Sequence, residues 1–191
     1  PSAWYDEACD KGVAAVYEAR CEAEGWYGML NFGDALGDEN VTWLNGEYDH
    51  HHAFLLQYAR TGQRRWYYLA EKAARHAIDV DTCHYGPDKG VEWAHALGHT
   101  GDYLDHDPLD SNNIPGGHVT PSHSWIEGFS DWYFLSGDPT GLENARLVGD
   151  YYAGAYLNNY DFDNLRDIGW HLILIMGAYN LTGDPYYLNT A

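Results

Sequence analysis

Three short stretches hold most of the residues able to do acid–base or charge-binding chemistry: Glu47-Tyr48-Asp49-His50-His51, His123-Ser124-Trp125-Ile126-Glu127 and Arg166-Asp167-Ile168-Gly169-Trp170-His171. Each combines ionisable groups with a large aromatic ring. Two carboxylates placed about 5–10 Å apart around a glycosidic bond can hydrolyse it, and Glu47, Asp49 and Glu127 are the candidates for such a pair. Arg166 is the one arginine within these stretches and the natural partner for an anionic ligand. A metal is the competing use of the histidines. His50, His84, His123 and Glu127 would form a divalent-ion set, but no HExxH or similar spacing accompanies them. Adjacent helical residues point about 100° apart, so the run His50-His51-His52 can offer at most one or two ligands to one ion. Helix capping competes for Asp49, and a satisfied core position competes for any single histidine.

The elements that would position these groups are helical hairpins. Tyr58-Ala-Arg-Thr61-Gly62-Gln63, Tyr133-Phe-Leu-Ser136-Gly137-Asp138 and Tyr179-Asn-Leu-Thr182-Gly183-Asp184 share one pattern: an aromatic, three residues on a hydroxyl, then Gly and a polar residue. Glycine after a helical run is a C-cap signal, and Pro139 bars continuation of the second copy. Each copy leads into a second amphipathic run, starting near Trp66, Leu142 and Tyr186. The helix ahead of the second copy is expected to begin at His123, with Ile126, Phe129, Tyr133 and Phe134 as its apolar stripe. Aligned on their glycines, the three hairpins start at the three chemical stretches, so those stretches fall on one rim. Helix N-termini there carry free N–H groups and a partial positive charge.

An alanine-rich helix from Asp6 to Ala23 precedes the hairpins, and Trp26 to Asp34 reads as a short strand or irregular segment. The repeat glycines lie 75 and then 46 residues apart, so a long irregular insertion, residues 86 to 121, separates the first two hairpins. About six or seven helices in antiparallel pairs make an all-α fold, hairpins of an (α/α) toroid. Residues 1–191 are expected to be one domain, and an incomplete ring, because the sequence stops inside a helical pattern at Asn189-Thr-Ala191. Missing toroid sequence or a partner chain is expected to cover it.

Ten basic against 29 acidic residues give a formal charge of −19, which argues against nucleic acid and anionic membrane as partners. No apolar run of about 18 residues exists to span a bilayer. The 17 tyrosines and 8 tryptophans offer flat faces with polar tips, suited to stacking on sugar rings. Cys9, Cys21 and Cys83 form neither a disulfide framework nor a metal pattern.

The run Trp26-Tyr-Gly-Met-Leu-Asn-Phe-Gly-Asp34, the Asn45 to Gly62 helix, Asp79-Val-Asp81-Thr-Cys-His84, His123-Ser-Trp-Ile-Glu127-Gly with Ser136-Gly-Asp, and Arg166-Asp-Ile-Gly-Trp170 to Thr182-Gly-Asp together resemble the toroid domain of the exo-rhamnogalacturonan lyase-like (YetA-like) family. The resemblance spans about residues 26 to 188 and implies an (α/α) toroid joined to β-sandwich domains, with a pectin-type lyase activity. β-Elimination beside a uronate needs a group to neutralise the carboxylate, a base for the C5 proton and an acid for the leaving oxygen. On that reading Arg166 neutralises, His123 or His84 is the base and Tyr48 or Tyr85 the proton donor; Glu127 is a catalytic carboxylate on the hydrolase reading. Trp125, Trp170, Asn45, Glu47, His50, Tyr85 and Trp93 would contact an oligo- or polysaccharide. No cofactor is expected, with a divalent metal as the alternative, and the substrate implies an extracellular or periplasmic location. Two other readings stand beside it: a glycoside hydrolase of the same architecture using paired carboxylates, and a non-catalytic glycan-binding or assembly subunit.

Overall fold

The computed structural model describes residues 3–28, 31–35, 46–92, 121–155 and 165–191. Among them the fold is helical, with one isolated antiparallel bridge, Thr82 to Glu92. Helix α1 (Ala3–Ala8) runs through a π turn (Cys9–Ala14) into α2 (Ala15–Glu24), in place of a single uniform helix. It docks through Arg65, which grips Glu18 with two bonds of 2.9 and 2.7 Å, and through an Arg60–Asp6 ion pair. The described part of Trp26 to Asp34 is turn and bend, so the irregular alternative holds there and the strand does not.

Three hairpins follow: α3 (His50–Thr61) with α4 (Arg64–His76), α5 (Glu127–Ser136) with α6 (Pro139–Ala155), and α7 (Leu165–Thr182) with α8 (Pro185–Thr190). Helix α3 packs on α5 and α5 on α7, while α4, α6 and α8 back them, as in a toroid wall. The repeated sequence pattern is one hydrogen-bonding device used three times. The hydroxyls of Thr61, Ser136 and Thr182 donate to the carbonyls of Gln57, Trp132 and Ala178, one turn back. Gly62, Gly137 and Gly183 then adopt φ of 72°, 77° and 68°, and their N–H groups donate to the carbonyls of Tyr58, Tyr133 and Tyr179. The next residue's N–H, on Gln63, Asp138 or Asp184, donates to the same hydroxyl at 3.0–3.3 Å. The left-handed backbone explains the glycine, and the doubly used oxygen explains the Ser or Thr.

Phe54, Leu55, Trp66, Leu69, Ile126, Phe129, Trp132, Val148, Tyr152, Leu174 and Ile175 form the core. Helix α5 buries Phe129 and Trp132, whereas Phe134 is 67% exposed, so the stripe ending in Phe134 is corrected by one register. The helix also starts four residues later than His123. Pro121–His123 is a separate 3-10 turn packed on α7, and Ser124 to Ile126 are irregular and buried. Likewise α3 begins at His50, with residues 46–49 forming a turn, and α4 passes at His76 into a wider turn, Ala77–Asp81. Most of the 86–121 insertion, and with it Trp93, lies outside the described residues, as does Asn45.

Candidate functional site

The rim where α3, α5 and α7 start is organised by Asp49. Its Oδ1 accepts the N–H of His52, capping its own helix at 3.2 Å, and its Oδ2 accepts the N–H of Gly128 in the first turn of α5 at 3.0 Å. One carboxylate thus ties two helix N-termini together. The approach is close enough to require glycine: a Cβ on residue 128 would stand 2.2 Å from both Asp49 Oδ1 and His51 Cδ2. Burial pushes the Asp49 carboxyl up to about 6, and the nearby His52 and the two N–H bonds pull the other way. Behind it His51 is buried against Phe129 with ring centroids 4.7 Å apart. Burial, with His50 and His52 alongside, lowers its imidazole to about 3. His52 has a surface-facing partner, Asp131, at 2.7 Å, and that bond raises it.

In the turn ahead of Asp49, Tyr48 and Asp49 have φ of 59° and 56°. Two successive non-glycine residues in the left-handed region cost roughly 1–2 kcal/mol each. The outcome is a 61% exposed Tyr48 lying over Trp125 and Trp170. The three ring centroids are 5.7 to 6.3 Å apart, and His123 stands edge-on to Trp125 at 6.3 Å. Trp125 is buried as the floor of this aromatic cluster, its backbone N–H donating to Glu92 Oε2 at 3.0 Å. Glu92 is itself buried, and that burial holds its carboxyl well above the usual range.

Charges meet at the edge of the rings. The buried Glu47 places Oε1 3.4 Å from His123 Nδ1 and 3.6 Å from Arg166 Nη2. The Arg166 guanidinium, 47% exposed, also reaches the Tyr48 hydroxyl at 3.5 Å. Its ionic partner is therefore Glu47 across the rim. The structure thus assembles Arg166, His123, Tyr48, Glu47, Trp125 and Trp170 in one place.

Other candidates stand apart. His84 Nε2–H donates to the Ile78 carbonyl, 2.5 Å away, in a cleft of about 360 Å³ lined by Lys89, Glu143 and Asn144, and Tyr85 is exposed beside it. None of the six rim residues lines that cleft. His50 turns toward Phe54, with ring centroids 6.1 Å apart. Glu127 leans on α7, where a Cβ on Gly177 would come within 3.5 Å of its Oε1. Burial and the charge of Asp49 raise its carboxyl. His171 is a core histidine bonded to the Tyr152 carbonyl at 2.9 Å. Among the described residues, the set His50, His84, His123 and Glu127 does not converge; the one group of three ligand-type side chains that does is Asp34, His76 and Asp81. Sequence reading missed Glu92, whose signal was only a polar residue between Val91 and Trp93 inside a glycine-rich stretch.

The sequence profile of the PcRGLX-like protein C-terminal alpha/alpha toroid domain matches residues 3–105, just over half of the chain. The chain belongs to this family. The match agrees with the exo-rhamnogalacturonan lyase-like resemblance and makes this a carbohydrate-active type of toroid domain. No curated protein matches the chain. Within the toroid domain, the matched span includes Glu47 and Tyr48, while His123, Trp125, Arg166 and Trp170 come from the hairpins after it. No described helix is long and apolar enough to cross a membrane.

Proposed function

We propose that this toroid domain cleaves a uronate-containing, pectin-type glycan by β-elimination at the Tyr48–Trp125–Trp170 rim. The observation that carries the reading is Arg166, an exposed guanidinium at the edge of an aromatic cluster, beside a tyrosine hydroxyl and a Glu–His pair. The aromatic cluster suits a sugar ring, and Arg166 suits its carboxylate, drawing charge from C5 as the proton leaves. Glu47 facing Nδ1 of His123 favours a proton on that nitrogen, which leaves Nε2 to take the C5 proton. The C5–H electron pair forms the C4=C5 bond, the C4–O bond breaks, and the Tyr48 hydroxyl supplies the proton for the departing oxygen. The substrate would be an oligo- or polysaccharide met in an extracellular or periplasmic setting. The −19 chain repels polyanions at long range, so Arg166 has to act within a screened distance of about 8 Å at physiological salt.

The test is incubation of the chain with rhamnogalacturonan and polygalacturonate oligosaccharides, following the ultraviolet absorbance of the unsaturated uronate. Growth of that absorbance in the wild type, and its loss in Arg166→Ala and Tyr48→Phe with unchanged circular dichroism, supports elimination. New reducing ends without the absorbance would instead indicate hydrolysis. Binding without turnover would indicate a non-catalytic glycan-binding module.

A further inference from the structure

A second cluster lies away from this rim, where the 31–35 turn meets the end of α4. His76 Nε2 is 3.2 Å from Asp81 Oδ1 and 3.7 Å from Asp34 Oδ2, and one ligand atom from each residue lies within 4.8 Å of the other two. The exposures of the three are 1% for Asp34, 3% for His76 and 1% for Asp81. The other ring nitrogen of His76 is 3.1 Å from the Phe32 carbonyl, so Nδ1–H donates there and fixes the ring with Nε2 toward the carboxylates. Asp34 is fixed too: its Oδ1 accepts the Ala35 N–H at 2.7 Å, and its Oδ2 faces His76. Gly33, at φ +100°, lets this turn press on α4, since a Cβ there would stand 2.1 Å from the Lys72 carbonyl oxygen.

We propose that Asp34, His76 and Asp81 form a structural site for a divalent zinc- or manganese-type cation, which clasps the 31–35 turn to the end of α4 and the turn after it. Two buried carboxylates need compensating positive charge. Counted over these three side chains, a protonated imidazole offsets one carboxylate, whereas a divalent ion beside a neutral imidazole offsets both. One imidazole nitrogen and two carboxylates suit zinc or manganese. Calcium prefers six to eight oxygens, more than this cluster presents. The bond from Nδ1–H to a backbone carbonyl is the orienting contact that metal-bound histidines carry. His76 also lines a cleft of about 260 Å³, together with Tyr27, Phe32, Arg75 and Val80.

Chelator-treated chain would be titrated with Zn²⁺ by calorimetry, and with Mn²⁺ while recording amide resonances. One equivalent is expected. At a hundredfold excess over Kd, Tm should rise about 5–10 °C. Mn²⁺ should broaden the amides of residues 33–35 and 76–81 first, and Asp81→Asn should weaken Zn²⁺ binding by at least about tenfold. The assignment is overturned by an absence of binding, by Mn²⁺ broadening centred on His50 to His52, or by an Asp81→Asn protein that binds Zn²⁺ as tightly as the wild type. Should that variant not fold, the broadening pattern in the wild-type chain decides.

Discussion

Replacing Asp49 by Asn separates the geometry of this carboxylate from its charge. Burial raises the Asp49 carboxyl from 3.8 to about 6, so the folded protein holds its proton more tightly than the unfolded chain does. The stability from that preference is fully present below pH 4 and is lost as pH rises through 6. About 2 pKa units at 1.36 kcal/mol each make roughly 3 kcal/mol. Both Asp49 oxygens accept N–H groups, and an amide has one acceptor oxygen, as a carboxylic acid has one carbonyl oxygen. Near pH 4, Asp49→Asn should therefore carry a similar cap to the wild type. By pH 7 the comparison should shift in favour of Asn by up to about 3 kcal/mol. Glu92 and Glu127 feel the charge of Asp49, so their ionisation adds to the difference with the same sign. His50 and His51 titrate in the opposite sense in both proteins and largely cancel from it. The assay is urea unfolding of both proteins at pH 4, 5, 6 and 7, followed by circular dichroism. A difference that stays constant over this range, or that moves toward Asp as pH rises, refutes the reasoning by showing that the ionised cap more than offsets its own burial. Asp49→Ala removes both acceptors and should cost about 2–5 kcal/mol at every pH, combining a lost cap with a buried N–H left without a partner.

Gly128→Ala drives a methyl into Asp49 and His51 and should destabilise by about 1–3 kcal/mol or more, read as a lower Tm. His51 is held neutral down to about pH 3 by burial, so the fold loses stability as pH falls below the ordinary histidine value of 6.5. His51→Phe should flatten that acid limb, and an unchanged slope between pH 6 and 4 would contradict it. Arg166→Lys keeps the charge but loses the fork. If Arg166 binds a uronate carboxylate, kcat/KM should fall at least about tenfold on acidic glycans, and equal turnover by the lysine variant would remove the bidentate role.

The hairpin ends were legible because their cause is local. A hydroxyl, a glycine and a polar residue within six positions make the whole cap, so Thr61, Ser136 and Thr182 announce it wherever the chain runs. The rim was legible in outline for the same reason: counting back from each glycine leads to Tyr48, Trp125 and Arg166. What failed were the features fixed by distant partners. The α5 start moved from His123 to Glu127 because Glu92, 33 residues away, takes the Trp125 N–H and Asp49, 79 away, takes that of Gly128. His84 and Tyr85 left the rim because Ala77–Asp81 widens the end of α4 and sends the chain toward α6, where Asn144 bonds Thr82 at 3.0 Å. The Asp34–His76–Asp81 cluster draws on residues 42 and 5 positions apart and has no periodic signature.

The rim divides its work by depth. Asp49, His51 and Gly128 lie behind, buried, and fix α3 against α5; Tyr48, Trp125, Trp170 and Arg166 lie in front, graded from buried floor to exposed edge. The two layers meet in the backbone between residues 48 and 49, where both residues hold left-handed φ. The cap bonds of Asp49 offset that strain, and Tyr48 is aimed over the tryptophans as a result. A change at Asp49 should then tilt Tyr48 and alter ligand stacking with no direct contact to the ligand. A change at Tyr48 to Gly should relieve strain and raise Tm while weakening any glycan bound there. Measured together, a Tyr48→Gly protein that is more stable and binds less would place the strain in the service of the aromatic cluster. One that is less stable would mean that the ring's packing on Trp125 and Trp170, worth about 0.5–1.5 kcal/mol beyond area for each such pair, outweighs it.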